Sequence, residues 1–169
     1  MSTIKVFLDS SAVIAGIISS AGASRVLLVM SENGQIETFI SEQVIVESER
    51  SIARKVRHAL PEFRQTIKDG GLKVVHNPTQ EEIDENISLI ADPDDVPILL
   101  AAMRAHVDYL ATHNRKHFLD DPKVAERAGI KMGTPGDVLA CPRYVRITQI
   151  ANGGKLTLPY AGPDCEEPR

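Results

Sequence analysis

Short runs of sheet-forming apolar residues recur at residues 4–8, 36–40, 72–75, 107–112 and about 130–132, with helical patterns between them. This alternation limits the fold more than any other feature. Strand, helix and strand in succession imply a parallel sheet covered on both faces and joined by right-handed crossovers. The expected class is α/β, a three-layer α/β/α arrangement around a central parallel sheet of about five strands. At 169 residues the chain has the length of about one domain. In such sheets ligands bind outside the C-terminal ends of the strands, so the residues just past each run are the functional candidates.

The punctuation between the runs is specific. An AVIAGII helix, an SSAGAS break and an SRVLLVMSE helix follow the first run, and Asn33 and Gly34 end the second of these helices. Ser41 can cap a long helix running to about Leu60, with Pro61 as its stop. Thr79 and Glu82 form a capping-box signature ahead of an apolar stripe of Ile83, Ile87 and Ile90. Pro97 falls in the first turn of the next helix, where it is tolerated. From residue 143 the pattern changes to two alternating strands around an Asn-Gly turn and then a Pro-rich charged tail. Residues 1–142 are therefore expected to form the main domain. Residues 143–169 are expected to add a β-hairpin and a poorly ordered end.

Composition excludes several classes. No apolar run approaches the ~20 residues that span a bilayer, so no membrane partner is expected, and the N-terminus lacks a signal-peptide pattern, which gives a cytoplasmic expectation. Cys141 and Cys165 lack zinc-ligand spacing and imply no disulfide. The net charge of -4 argues against non-specific nucleic-acid binding, although the placement of charge decides more than its sum.

Acids stand near the strand ends and helix starts: Asp9 after the first run, Glu47 in the helix after the second, and Asp92, Asp94 and Asp95 ahead of the helix before the fourth. Singly, each has an ordinary reading as a cap, a solvated residue or a partner of a helix dipole. Together, carboxylates converging on one sheet edge repel one another unless cations neutralise them. Hard divalent ions such as Mg²⁺ or Mn²⁺ prefer such oxygen ligands. Ions of this kind can activate water and stabilise the leaving oxygen of a phosphodiester without a protein nucleophile.

The segments VFLDSSAVIAG, SEQVIVESER, ADPDDVPILLAA and YLATHNRKHF, with TPGDVLA as a weaker match, resemble the PIN-domain ribonucleases, which include toxins of type II toxin–antitoxin pairs. The resemblance covers residues 4 to 140. It implies a metal-dependent endoribonuclease in which Asp9, Glu47 and Asp95 hold Mg²⁺ or Mn²⁺, with Asn114 assisting and Ser10 and Thr112 orienting the carboxylates. It also implies an antitoxin partner and a homodimer. Asn114 departs from the family, which often places an acid two residues after the strand-end threonine. The departure weakens the expected metal affinity and leaves an alternative: a PIN-like binding module for RNA or protein with weakened catalysis. Asp120 and Asp121 are secondary sources of the missing charge.

Periodicity places an apolar stripe of Ile45, Ile52 and Val56 nearer Glu49 than Glu47, so Glu49 stands as the substitute. Two basic stretches suit RNA phosphates: Arg50 to His58, with Arg54 at its centre, and His113, Arg115, Lys116 and His117 after the fourth run. With aromatics at 4% and no Trp, sequence-specific reading by base stacking is not expected. Other chemistries fail on residues. Position 11 is serine, where a haloacid-dehalogenase-type phosphatase needs a second acid, the acidic pair of a receiver domain is missing, and there is no Walker-type loop.

Overall fold

A computed structural model describes residues 3–141, so the expected C-terminal hairpin and tail lie outside the described residues. Five strands, β1 (Lys5–Leu8), β2 (Glu37–Ser41), β3 (Leu72–Val75), β4 (Tyr109–Ala111) and β5 (Lys131–Gly133), pair in parallel in the order β3-β2-β1-β4-β5. The helices are α1 (Ser10–Ile18), α2 (Ala23–Glu32), α3 (Glu42–Lys55), α4 (Leu60–Asp69), α5 (Gln80–Glu85), α6 (Val96–Arg104), α7 (Pro122–Ala128) and α8 (Pro135–Ala140). The α/β class and the strand count match the sequence expectation. Among the described residues, no single helix is long and apolar enough to cross a membrane.

The strand order fixes where a ligand can sit. From β1 the chain winds outward through β2 to β3, then crosses back to β4 and outward again to β5. Right-handed crossovers in opposite directions put helices on opposite faces, and the crevice opens where the direction reverses, between the C-terminal ends of β1 and β4. Helices α1 and α3 start at that edge because each follows its strand directly. Helix α6 also starts there, because it must run back to feed β4. The register sets Leu8 against Ala111, which makes Asp9 and Thr112 the next neighbours.

Strands covered on both faces need no alternation of apolar and polar residues. Val6, Phe7 and Leu8 are all buried, as are Tyr109, Leu110 and Ala111. Burying a Val, Leu or Phe side chain of this kind contributes about 1.5–3 kcal/mol. Ile98, Leu99, Ala101 and Ala102 of α6 join the same core.

Three local expectations differ from the structure. Pro61 does not stop a long helix: α3 ends at Lys55, Val56 leaves helical geometry (φ -147°, ψ 56°), and Pro61 lies in the first turn of α4. Proline has the same preference for both positions, after one helix and at the start of the next. Helix α5 keeps the Thr79–Glu82 capping box but ends at Glu85, which leaves Ile87 exposed. The buried residues of α3 are Val44, Ser48 and Ile52, not a stripe through Ile45 and Val56. Ser48, a small polar residue at the centre of the buried line, hides that face from a hydrophobicity pattern.

Helices α1 and α2 pack closely at Gly16, where an added Cβ would lie 2.6 Å from Leu28 Cδ1 and 3.0 Å from Ser24 O. Overpacking of this kind destabilises by about 1–3 kcal/mol, while replacing a helical glycine by alanine recovers up to ~1 kcal/mol of backbone entropy. Gly16→Val is therefore expected to lower the urea midpoint clearly and Gly16→Ala much less. Equal midpoints for wild type and Gly16→Val would contradict the close packing.

Candidate metal centre

Asp9 ends β1 and caps α1, its Oδ1 accepting from Ser10 N at 2.7 Å. Its Oδ2 accepts from Ser11 Oγ at 2.8 Å and from Thr112 Oγ1 at 2.7 Å. Each hydroxyl also accepts a backbone N–H, Ser11 from His113 and Thr112 from Asn114, both at 2.9 Å. The single proton of each hydroxyl is thus committed to Asp9, which orients a carboxylate that is only 3% exposed. Three strong acceptor contacts leave one of the ~4 lone-pair sites of a carboxylate open on Oδ1. Ser10 Oγ approaches that oxygen at 3.4 Å.

Across the crevice, Asp92 caps a short 3-10 turn, Pro93–Asp95, that leads into α6. After β4 a π-helical turn, Arg115–Leu119, carries His117 toward this acid pair. Its Nδ1 lies 2.6 Å from Asp95 Oδ2 and 3.3 Å from Asp92 Oδ2. Each of the three residues offers a ligand atom within 4.8 Å of the others. Burial pushes the Asp95 carboxyl up from 3.8 to about 6; the His117 hydrogen bond and charge oppose the rise, and the charges of Asp9 and Asp92 add to it. Asp9 and Asp95 therefore share one electrostatic neighbourhood. The donor set, two aspartates and an imidazole beside a third buried aspartate, fits a divalent cation with oxygen and nitrogen ligands.

The two candidate glutamates part ways. Gln43 Nε2 donates to Glu47 Oε1 at 2.8 Å and to the Asp94 backbone oxygen at 3.0 Å, which ties Glu47 to the turn that bears Asp95. Glu49 instead pairs with Arg64 of α4 at 2.7 Å. Asn114 caps the π-helical turn, its Oδ1 accepting from His117 N at 3.4 Å. His113 leans on Ser24 of α2 at 3.1 Å, and Arg115 and Lys116 are exposed. Arg54 stands in the last turn of α3, about 10 Å of helical rise beyond Glu47 at ~1.5 Å per residue. Asp121 caps α7.

Sequence reasoning grouped His117 with a basic stretch and assigned the orienting hydroxyls to Ser10 and Thr112, without Ser11. In the structure His117 meets the acids and Ser11 holds Asp9. The signal for Ser11 was its place two residues after the strand-end acid. For His117 no periodicity was available, because a π-helical turn follows neither the strand nor the α-helical repeat.

A family model described as "PIN domain" matches residues 5–116. No curated protein matches the sequence significantly. Among solved structures, PAE2754 from Pyrobaculum aerophilum is similar with a TM-score of 0.57 at 14% identity, over 86% of this chain and 96% of that one. VapBC2 from Rickettsia felis, bound to a DNA fragment from its promoter, gives 0.53 at 15% identity, over 78% and 98%. VapC20 from Mycobacterium tuberculosis, a sarcin-ricin loop cleaving toxin, gives 0.50 at 12% identity, over 66% and 91%. These likenesses concern the fold, and the family model adds the sequence pattern across most of the described residues: the chain belongs to the PIN-domain family.

Proposed function

We propose that the chain is a Mg²⁺- or Mn²⁺-dependent endoribonuclease, active in the cytoplasm, and the toxin of a toxin–antitoxin pair. The observation that carries this reading is the meeting of Asp92, Asp95 and His117, within electrostatic reach of Asp9, at the crevice between β1 and β4. Asp9, Glu47 and Asp95 would hold the cation, with Asp92 and His117 as further ligands. A bound divalent cation supplies charge neutralisation for the phosphate and acidifies water.

The chain's own groups prepare the site. Thr112 and Ser11 fix the rotamer of Asp9, and Ser10 N holds its other oxygen. Gln43 orients Glu47. Asn114 sets the turn that brings His117 to Asp95, which gives it a positioning role. Exposed Arg115 and Lys116, with His113 and more distantly Arg54, face the phosphates of a strand entering the crevice. The similarity to a toxin and to a VapBC complex supports a small protein antitoxin that covers the site. Pairing as a homodimer follows the family resemblance. The alternative, a PIN-like binding module, is favoured by Asn114 standing where the family often has an acid; a metal titration separates the two.

Mn²⁺ at a hundredfold excess over its Kd should stabilise the protein by about 2.7 kcal/mol, which for a chain of this length raises Tm by roughly 5–10 °C. The shift should vanish in Asp9→Asn, which retains an oxygen for the helix cap, and RNA cleavage should stop in excess chelator. Cleavage that persists in chelator rejects the metal mechanism. An imidazole ligand favours Mn²⁺ over Mg²⁺. His117→Asp is expected to narrow the Mn²⁺-to-Mg²⁺ affinity ratio by at least a few-fold in calorimetry, and an unchanged ratio removes His117 from the ligand set.

The pH dependence follows from Asp95. Its folded value, about 6, exceeds its ordinary 3.8, so without metal its contribution to stability is fully present below about 4 and is lost as pH rises through 6. Metal binding needs the deprotonated form. The Tm difference between wild type and Asp95→Asn should therefore shift against wild type between pH 4 and 6.5 without metal, while the Mn²⁺-induced gain grows over the same window. A difference independent of pH would contradict the assignment.

A further inference from the structure

Beside the crevice, on the β5 side, lies an open cavity of about 270 Å³ that the metal chemistry does not use. Phe118, Pro122, Ala125 and Met132 give it apolar walls. Gly133 also lines it, and a Cβ there would sit 2.9 Å from Asp137 Cβ, so the missing side chain is what admits the Asp137 carboxylate. Arg115 and Asp137 both line the cavity. Among the described residues Arg115 forms no ion pair, and Asp137 uses only Oδ2, which accepts from Thr134 N at 2.8 Å and Thr134 Oγ1 at 2.7 Å. Its Oδ1 is free to accept.

The cavity shares structural elements with the candidate centre. Gly133 O accepts from Thr112 N at 3.0 Å, and Thr112 Oγ1 donates to Asp9. Arg115 and Phe118 belong to the same π-helical turn as His117. A strand whose phosphate lies at Asp9 and Asp95 would have its neighbouring base beside this opening. The volume falls just below the ~300–1,000 Å³ of clefts that take drug-sized ligands, which suits one flat ring system. Single-stranded RNA is read in this way, by unstacked bases held between apolar or aromatic walls and hydrogen-bonded at their edges.

We infer that this cavity is a nucleobase subsite and that its polar pair selects guanine next to the scissile phosphate. Guanine presents two N–H groups, N1–H and N2–H₂, to a carboxylate acceptor, and O6 and N7 to a guanidinium. Adenine, cytosine and uracil each carry a single donor group on the pairing edge and lack that combination. The inference rests on the RNA-cleaving reading of the neighbouring centre and specifies its substrate.

The test maps cleavage of a randomised RNA pool in Mn²⁺ by wild type, Asp137→Asn and Ala125→Trp. Asn at 137 keeps an oxygen for the Thr134 cap but turns the free acceptor into a donor; Trp at 125 fills the cavity. Wild type should enrich guanine at one fixed position relative to the cut. Asp137→Asn should lower that enrichment roughly tenfold, and Ala125→Trp should erase it, with other positions unaffected. A wild-type pattern with no such position, or one that both variants keep, overturns the subsite and leaves the nuclease reading intact.

A second readout is independent of cleavage. Four RNA tetranucleotides differing in one base are titrated into the full chain carrying Asp9→Asn, and the amides of Ala125, Gly133 and Asp137 are followed by NMR. Shifts confined to the guanine-containing RNA, and lost with Ala125→Trp, support the subsite even if wild type cuts no RNA, a result that would reject the nuclease reading alone. Equal shifts for all four bases mark a phosphate contact through Arg115 and overturn it, as do amides that no RNA moves.

Discussion

A buried carboxylate at the seam of two neighbouring strands governs this molecule. Asp9 is 3% exposed, and removing an ionised carboxylate from water is unfavourable by several kcal/mol unless hydrogen bonds replace the lost hydration. Two hydroxyls and a backbone N–H do so, and charge-assisted bonds of this kind contribute about 1.5–3 kcal/mol each. One hydroxyl belongs to Thr112, at the end of β4. The bond to it forms only when Leu8 faces Ala111 across the β1–β4 pair. Sheet register and site geometry are therefore one constraint, and the bond from Thr112 N to Gly133 O carries it on to β5.

The acids sort by what surrounds them. Glu37, Glu42 and Glu82 are held below the usual carboxylate range, chiefly by Lys73, by the Asn77 N–H and by the Thr79 N–H respectively. Those partners satisfy the negative charge; Lys73 ties β3 to β2, and the Thr79 N–H closes the cap of α5. Asp95 moves the other way: burial and two like charges leave its ionised form under-compensated, even with His117 against it. An acid kept poised in this way destabilises the apo fold and favours any cation that enters, the usual relation between stability and function at such centres.

How legible this was in the sequence depends on the length scale of the signal. The strands and the caps at Asp9, Ser41 and Thr79 were readable because each rests on residues within a few positions of one another. The face of α3 was not, because Ser48 is buried and, among the described residues, its hydroxyl lacks a hydrogen-bond partner, whereas Val46 is exposed. A hydrophobicity pattern reads both residues backwards. The break between α3 and α4 was missed because the Pro61 signal is symmetrical between a stop and a start. The gathering of Asp9 with Asp95 needed the crossover that returns the chain from β3 to β4, which no local pattern contains.

The π-helical turn after β4 shows why the remainder of the site escaped. Its closing bond runs from Asp120 N to Arg115 O, five residues apart, so side chains advance by less per residue than in an α-helix. Within this one turn His117 reaches Asp92 and Asp95, while Arg115 and Phe118 line the cavity on the β5 side. An α-helical reading of HNRKHF divides those residues differently between the two sides. The widened turn, capped by Asn114, joins the candidate metal centre to its neighbouring cavity, and the position that departs from the family's acid holds the geometry of both.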